Sequence, residues 1–135
     1  MVEIKSCGAI IYYEDNPRLY LIVYKKDKDY WGYPKGTPEG NETEEQTSLR
    51  EIKEEVGLDV ELINGYRKQI SYFAGKDLRS TMILFLAKSE KKEVYIEQEE
   101  ISEYKWLSYD KAIKLLSHKT SKKALEEAEI FLGKQ

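Results

Sequence analysis

The chain has 135 residues, with 22 Lys and Arg against 25 Asp and Glu, one Cys and one His. This length is that of a single domain, and such a chain can bury enough apolar surface to form its own core. One cysteine, Cys7, excludes an internal disulfide and a multi-cysteine zinc site, and one histidine, His118, excludes a cluster of histidine ligands. Any metal chemistry is therefore expected to use carboxylates and a hard cation.

The net charge of −3 argues against a protein that binds a nucleic acid backbone along its surface. No stretch approaches the ~20 apolar residues of a membrane-spanning helix. The N-terminus carries Glu3 and Lys5 where a signal peptide has an apolar segment. We expect a cytoplasmic protein, a monomer or a homodimer, with no membrane partner and no stable nucleic acid partner.

The first half of the chain begins with strand signals. Apolar runs at residues 9–13 and 19–24 flank turn-forming residues, which predicts a β-hairpin. Residues 27–41 contain three Gly and two Pro and predict an irregular loop. A loop of this length within a compact domain is usually functional.

A helix is predicted at residues 43–56, because Thr43 and Gln46 have the spacing of a capping box and Gly57 stands at the C-cap. Strands are predicted at 60–72, 81–87 and 104–107. Apolar residues at helical spacing predict two further helices, one from residue 108 and one at 121–132. The pattern is α+β and forms one domain over residues 1–135, with one helix among the strands and the others at the end.

The first predicted helix carries three carboxylates on one face, since Glu51, Glu54 and Glu55 are spaced i, i+3 and i+4. Like charges at these spacings repel each other. A divalent cation such as Mg²⁺ or Mn²⁺, which prefers hard oxygen ligands, would offset the repulsion. The alternative is a solvated surface helix on which Arg50 and Lys53 balance the charge.

A longer pattern contains these carboxylates. Gly36 is followed after five residues by Glu42, after seven more by Arg50-Glu51-Ile52, and then by Glu54-Glu55-Val56-Gly57-Leu58. This resembles the Nudix box, Gly-x5-Glu-x7-Arg-Glu-U-x-Glu-Glu-x-Gly-U with U aliphatic, at every specified position. The resemblance covers most of the chain. It implies the Nudix fold, an α/β/α sandwich with a central mixed β-sheet, and metal-dependent hydrolysis of a nucleoside diphosphate linked to another group.

By this resemblance Glu54 and Glu55 are metal ligands, and Glu51 is a ligand or the general base. The implied reaction is attack of water on one phosphorus of a pyrophosphate linkage. Bound Mg²⁺ or Mn²⁺ would neutralise developing charge and lower the pKa of a bound water, from which a carboxylate removes the proton.

The remaining box residues are implied to support these carboxylates. Arg50 is counted with the catalytic residues and is expected to form an ion pair with Glu42 that orients the carboxylates. Gly36 is expected to permit a tight turn and a close approach of the backbone to a ligand, and Gly57 to end the helix.

The segments that flank the box resemble the asymmetrical diadenosine tetraphosphate hydrolase subfamily. This implies that Tyr72 and Tyr104 stack on the two faces of an adenine, each stacked base contributing about 1–3 kcal/mol. It also implies that Glu100 is an additional metal-binding carboxylate. Ordinary packing is the alternative for each tyrosine, since the chain has 11 Tyr. Tyr30 stands where many animal members carry His, which leaves its ligand contacts open.

Three basic residues are candidate phosphate ligands. Lys35 immediately precedes the box and is expected to contact a phosphate as a point charge. Lys76 and Arg79 follow Tyr72 in a polar turn where the subfamily has phosphate-binding lysines, and Arg79 is the better positional match. A solvated turn is the alternative for both.

The predicted reaction is hydrolysis of diadenosine tetraphosphate to ATP and AMP. The alternatives are a nucleoside triphosphate pyrophosphohydrolase of the 8-oxo-dGTP sanitiser type, an RNA 5′ pyrophosphohydrolase, and a Nudix domain that binds nucleotides without catalysis. The intact set of Glu51, Glu54 and Glu55 weighs against the last. The sequence leaves open the number of metal ions and whether Glu51 or Glu100 is the general base.

Overall fold

Strands account for most of the elements in the computed structural model, which describes residues 1–133. In chain order the elements are β1 (Val2–Tyr13), β2 (Leu19–Lys25), β3 (Tyr30–Gly32), β4 (Lys35–Gly36), α1 (Glu44–Val56), β5 (Val60–Phe73), β6 (Leu78–Ser89), β7 (Ile101–Ser108), α2 (Tyr109–Leu115) and α3 (Lys119–Gly133). Over these residues, no helix combines the length and the apolar character needed to cross a membrane.

The seven strands form one mixed sheet. Its order is β3-β2-β1-β6-β5, with β4 paired to β1 and β7 paired to β2. β1 and β6 are parallel, whereas β1 and β2 form the predicted antiparallel hairpin. The strand at the start of the chain therefore lies in the middle of the sheet, where it contacts partners from both halves of the sequence.

The core has two layers because successive side chains of each strand point to opposite faces. On one face, Ile10 and Leu84 belong to a cluster with Ala124 of α3. On the other face, Val23 belongs to a cluster with Ile52 of α1. The sheet lies between α1 and the two C-terminal helices, and this arrangement confirms the predicted α/β/α sandwich.

Helix α1 is fixed at both ends by its own sequence. Thr43 Oγ1 accepts a hydrogen bond from the Gln46 amide at 3.1 Å, and Gln46 Oε1 accepts one from the Thr43 amide at 2.9 Å. This is the predicted capping box. Gly57 ends the helix with φ of 74° and donates its amide to the Lys53 carbonyl, the left-handed conformation that glycine adopts without strain.

The predicted irregular loop at residues 27–41 is wrong in part, since it contains the short strands β3 and β4. Trp31 pairs with Tyr24, and Gly36 pairs with Cys7. Gly and Pro signal local irregularity, whereas these pairings depend on strands elsewhere in the chain. The other strands are longer than predicted for the same reason, because exposed polar residues at their ends are held by a neighbouring strand.

Candidate active site

Helix α1 presents its three carboxylates at different depths. The side chain of Glu55 is 3% exposed, that of Glu51 is 14% exposed and that of Glu54 is 55% exposed. Along the helix face predicted from the sequence, the exposure of the carboxylates therefore increases from the core to the solvent. Glu55 lies beneath the surface, Glu51 lies at its edge, and Glu54 faces outward.

Arg50 connects the outer carboxylates. Its Nε and Nη2 donate to the two oxygens of Glu42 at 2.7 and 3.0 Å, and its Nη1 donates to Glu51 at 2.9 Å and to Glu54 at 3.2 Å. The paired Arg50 holds the pKa of the Glu42 carboxyl at about 2. Nη2 also donates to the Thr37 carbonyl at 2.9 Å. The planar guanidinium thus ties the loop before α1 to the helix.

Gly36 gives space to the Glu51 carboxylate. It lies in β4, and a Cβ added to it would collide with the carboxyl group of Glu51. Gly36 pairs with Cys7 of β1 as part of a strand, so the predicted tight turn at this position is wrong. The close approach is real, but it is made to a carboxylate of the protein.

Glu55 is buried against a lysine that the sequence did not single out. Lys25, at the end of β2, is 7% exposed and its ammonium donates to Glu55 Oε1. Glu55 Oε2 is also buried and has no hydrogen-bond partner within residues 1–133. Burial raises the pKa of the Glu55 carboxyl to about 7 against the opposing effect of Lys25. A buried oxygen without a partner is costly, which indicates that a cation or a donor from outside the chain completes this position.

Glu100 reaches the same region from the loop between β6 and β7. The carboxylate of Glu97 accepts hydrogen bonds from the amides of Glu99 and Glu100 at 2.9 and 3.2 Å. The Glu97 amide donates to the Glu55 carbonyl at 2.8 Å. Glu97, which sequence reasoning missed, therefore anchors the turn that carries Glu100 to the end of α1.

Two adjoining clefts meet beside these residues. The first, of about 390 Å³, is the carboxylate cleft. Seven charged residues line it: Lys25, Asp27, Lys28, Lys35, Glu39, Glu51 and Glu100. The second, of about 410 Å³, is the aromatic cleft. It is lined by Tyr30, Tyr33, Ile70, Tyr72, Met82 and His118 among others. Tyr30, Lys35 and Tyr72 line both, so one extended ligand can occupy the two clefts together.

The aromatic cleft offers flat surfaces. The rings of Tyr30 and His118 are 4.9 Å apart at an interplanar angle of 45°, and Tyr72 is 54% exposed beside them. Rings with free faces can stack on a planar ligand. The sequence offered no pattern for His118, which approaches Tyr30 only because α3 packs on the sheet.

Lys35 lies where the two clefts meet. Its burial lowers the pKa of the ammonium to about 8, and the nearby Lys25 and Lys28 add to this effect. Crowding of like charges is unfavourable in the absence of a ligand. A polyanion in the carboxylate cleft would relieve it. Lys35 therefore lies beside the carboxylates at the junction of the clefts, and its contact with a phosphate stays a prediction.

The strand register separates Arg79 from both clefts. Tyr72 pairs with Ser80, and both line the two clefts. Arg79 is the residue before Ser80 on β6, so its side chain points to the opposite face, where it contacts Glu3 at 3.4 Å. The expected phosphate contact of Arg79 is therefore not supported at this site, because its side chain lies on the other face of the sheet. Lys76 is exposed in the turn between β5 and β6.

Tyr104 and Tyr72 also lie on opposite faces. Tyr104 pairs with Val23, whose side chain belongs to the core cluster under α1. Tyr72 is two residues from Ile70, which belongs to the cluster on the other face. The register therefore does not bring Tyr72 and Tyr104 together on one face of the sheet, as the predicted sandwich of a base would require. Tyr30 and His118 are the rings that the fold brings near Tyr72.

The carboxylates of the described residues do not converge on one point. In residues 1–133, no group of three or more His, Cys, Asp or Glu side chains is arranged to hold a metal ion. Instead, the carboxylates contact cationic side chains: Arg50 contacts Glu51 and Glu54, and Lys25 contacts Glu55. Carboxylate oxygens, one of them buried without a partner, nevertheless fit a hard divalent cation.

This combination of fold and site defines a known class. The family model for the NUDIX domain matches residues 4–128, and the chain therefore belongs to the Nudix family. The asymmetrical bis(5'-nucleosyl)-tetraphosphatase of Sus scrofa is 32% identical over 143 aligned positions, which cover 97% of each chain. The corresponding protein of Rattus norvegicus is 30% identical with the same coverage.

Solved structures agree with this assignment. An Ap4A hydrolase of C. elegans in a binary complex superposes with a TM-score of 0.89 at 23% identity, covering 98% of this chain and 99% of that one. The E. coli dihydroneopterin triphosphate pyrophosphohydrolase has a TM-score of 0.76 at 26% identity, covering 94% and 97%. These likenesses confirm the predicted Nudix fold.

Proposed function

We propose that this protein hydrolyses a pyrophosphate linkage of a nucleoside polyphosphate with a divalent metal ion, and that its substrate is diadenosine tetraphosphate, cleaved to ATP and AMP. The observation that carries the proposal is the junction of the carboxylate cleft and the aromatic cleft at Lys35. The likeness to asymmetrical tetraphosphatases over 97% of the chain supports the choice of substrate.

The carboxylate cleft would perform the chemistry. Nudix hydrolases generally use divalent metals, and the residues that would hold one here are Glu51, Glu54, Glu55 and Glu100. When bound, the metal would neutralise phosphate charge and lower the pKa of a water. Glu51 and Glu100 both line the cleft, so either can accept the proton of an attacking water. Mg²⁺ is the proposed ion.

The remaining groups would bind and orient the substrate. Lys28 and Lys35 line the cleft beside Glu51 and would bind phosphate oxygens as point charges. Tyr72 and the neighbouring Tyr30 and His118 would stack on one nucleobase. Arg50, held by its ion pair with Glu42, would keep Glu51 oriented without itself contacting the reacting atoms. A cytoplasmic location and the oligomeric state stay predictions.

A substrate panel with Mg²⁺ tests the proposal. Equal amounts of ATP and AMP from diadenosine tetraphosphate support it. A nucleoside monophosphate and pyrophosphate released with higher kcat/KM from a triphosphate, including 8-oxo-dGTP, would replace it with the sanitiser function. Preferred release from 5′-triphosphate RNA would replace it with the RNA function. Tight nucleotide binding without hydrolysis would indicate a binding domain.

A further inference from the structure

The ammonium group of Lys25 contacts one of the two oxygens of Glu55, the most deeply buried carboxylate on α1. Its ammonium contacts Glu55 Oε1, whereas Glu55 Oε2 is buried without a partner in the described chain. Glu55 can therefore offer a single oxygen to a cation as long as this contact persists. Glu51 and Glu54 contact Arg50 instead of Lys25.

The fold holds Lys25 in this position. Its backbone pairs with Ile101 of β7 on one side and with Tyr30 of β3 on the other, and Ile101 is fully buried. If Lys25 turned away, a buried carboxylate would lose its cationic partner, which is strongly unfavourable. Lys28 and Lys35 already line the cleft for a phosphate, so Lys25 is not needed there.

We propose that Lys25 determines the metal preference of the site by limiting Glu55 to one coordinating oxygen. Mg²⁺ is small and takes octahedral ligands singly, whereas Ca²⁺ accepts more oxygens and often binds a carboxylate through both. A carboxylate with one free oxygen favours the smaller ion. Lys25 is thus a positioning residue. This inference rests on the metal site of the proposed function.

The test is calorimetric titration of the nucleotide-free protein with Mg²⁺ and with Ca²⁺. Wild type is expected to bind Mg²⁺ more tightly than Ca²⁺. Lys25→Met is expected to lose about 10–100-fold in Mg²⁺ affinity, the range found when partners of metal ligands are removed, while Ca²⁺ affinity holds or rises. Lys25→Arg still donates to Glu55 and should keep the wild-type ratio, as should the exposed neighbour control Lys26→Met.

Lys25→Ala provides a second variant in case the methionine variant does not fold, because it also removes the donor to Glu55 Oε1; it should shift the ratio in the same direction. Wild type that binds Ca²⁺ at least as tightly as Mg²⁺, or folded variants that keep the wild-type ratio, would overturn the inference. So would a Lys25→Met variant that keeps this ratio while its KM for nucleotide rises, since Lys25 would then contact phosphate. Wild type that binds neither metal but hydrolyses diadenosine tetraphosphate with Mg²⁺ would overturn the inference alone, whereas wild type that does neither would overturn the proposed function as well.

Discussion

The two clefts differ in how their side chains are held. Around the carboxylate cleft, Arg50 and Lys25 hold the acidic groups through charged contacts, and Gly36 leaves no spare room beside Glu51. In the aromatic cleft the walls are largely apolar, and Tyr72 keeps a free face. The first arrangement suits chemistry, which needs fixed geometry. The second suits recognition of a planar group, which needs surface.

This difference predicts that the clefts control different kinetic constants. Changes in the carboxylate cleft should lower kcat, because interactions made in the transition state are lost. Changes in the aromatic cleft should raise KM with little effect on kcat, because binding of the ground state and the transition state weakens equally. The variants below test this division.

The largest effect is expected from Glu54→Gln. The side chain of Glu54 is exposed, so the fold should tolerate the change. Loss of a metal-binding charge should lower kcat by about 10²–10⁴-fold. Steady-state kinetics with Mg²⁺ measure it, and Glu45→Gln on the exposed face of the same helix is the control. Near-wild-type turnover in Glu54→Gln would remove this residue from the mechanism.

Gly36→Ala should have the next largest effect. The added Cβ collides with the Glu51 carboxylate, and a displacement of about 1 Å in a catalytic group can cost about 10²-fold in rate. We expect kcat to fall while the far-ultraviolet circular dichroism stays that of wild type. Gly133→Ala, where a Cβ meets open space, is the control. Unchanged kcat in Gly36→Ala would show that the position of Glu51 is not critical.

Tyr72→Ala and His118→Ala should act on KM. Loss of a stacked base costs about 1–3 kcal/mol, which corresponds to about 5–150-fold, and kcat should remain close to wild type. Tyr104→Ala is the matched control, because its register places the ring on the other face of the sheet. A rise in KM for Tyr104→Ala as large as that for Tyr72→Ala would restore the pair predicted from the sequence.

The pH profile of kcat/KM should reflect Lys35. Its pKa is lowered to about 8 by burial, so the free enzyme loses this positive charge as pH rises through 8 and binds polyphosphate more weakly. Lys35→Arg keeps its charge and should shift the falling limb to higher pH. Lys76→Arg, exposed in the turn between β5 and β6, should leave the profile unchanged. A limb that does not move in Lys35→Arg assigns it to another group.

The smallest effect concerns stability in acid. Hydrogen bonds from Arg50 lower the pKa of Glu42 from 4.5 to about 2. The ion pair therefore stabilises the fold above pH 4.5, and this contribution is lost as pH falls from 4.5 to 2. Glu42→Gln should lower Tm at pH 7 and approach wild type near pH 2. The exposed Glu61→Gln serves as control, and a pH-independent difference in Tm would argue against the pair.

The sequence could predict whatever depends on neighbours along one helix. The capping box of α1, its Gly57 C-cap and the shared face of Glu51, Glu54 and Glu55 follow from spacings within a few residues. The family resemblance added the fold. These features need no knowledge of how distant strands pair.

The remaining features depend on pairings between distant segments. Lys25 and Glu55 are 30 residues apart, and Tyr30 meets His118 only after α3 packs on the sheet. The sides taken by Arg79 and Tyr104 depend on strand register, in which a shift of one residue exchanges the faces. Propensity and spacing contain no information on that register.

The central claim is that one water attacks one phosphorus of diadenosine tetraphosphate. Hydrolysis with Mg²⁺ in ¹⁸O-labelled water, followed by mass spectrometry of the products, tests it most directly. We expect ATP and AMP in equal amounts, with the label in only one of the two. Two molecules of ADP, label in both products, or cleavage at the same rate after chelation of the metal would contradict the claim.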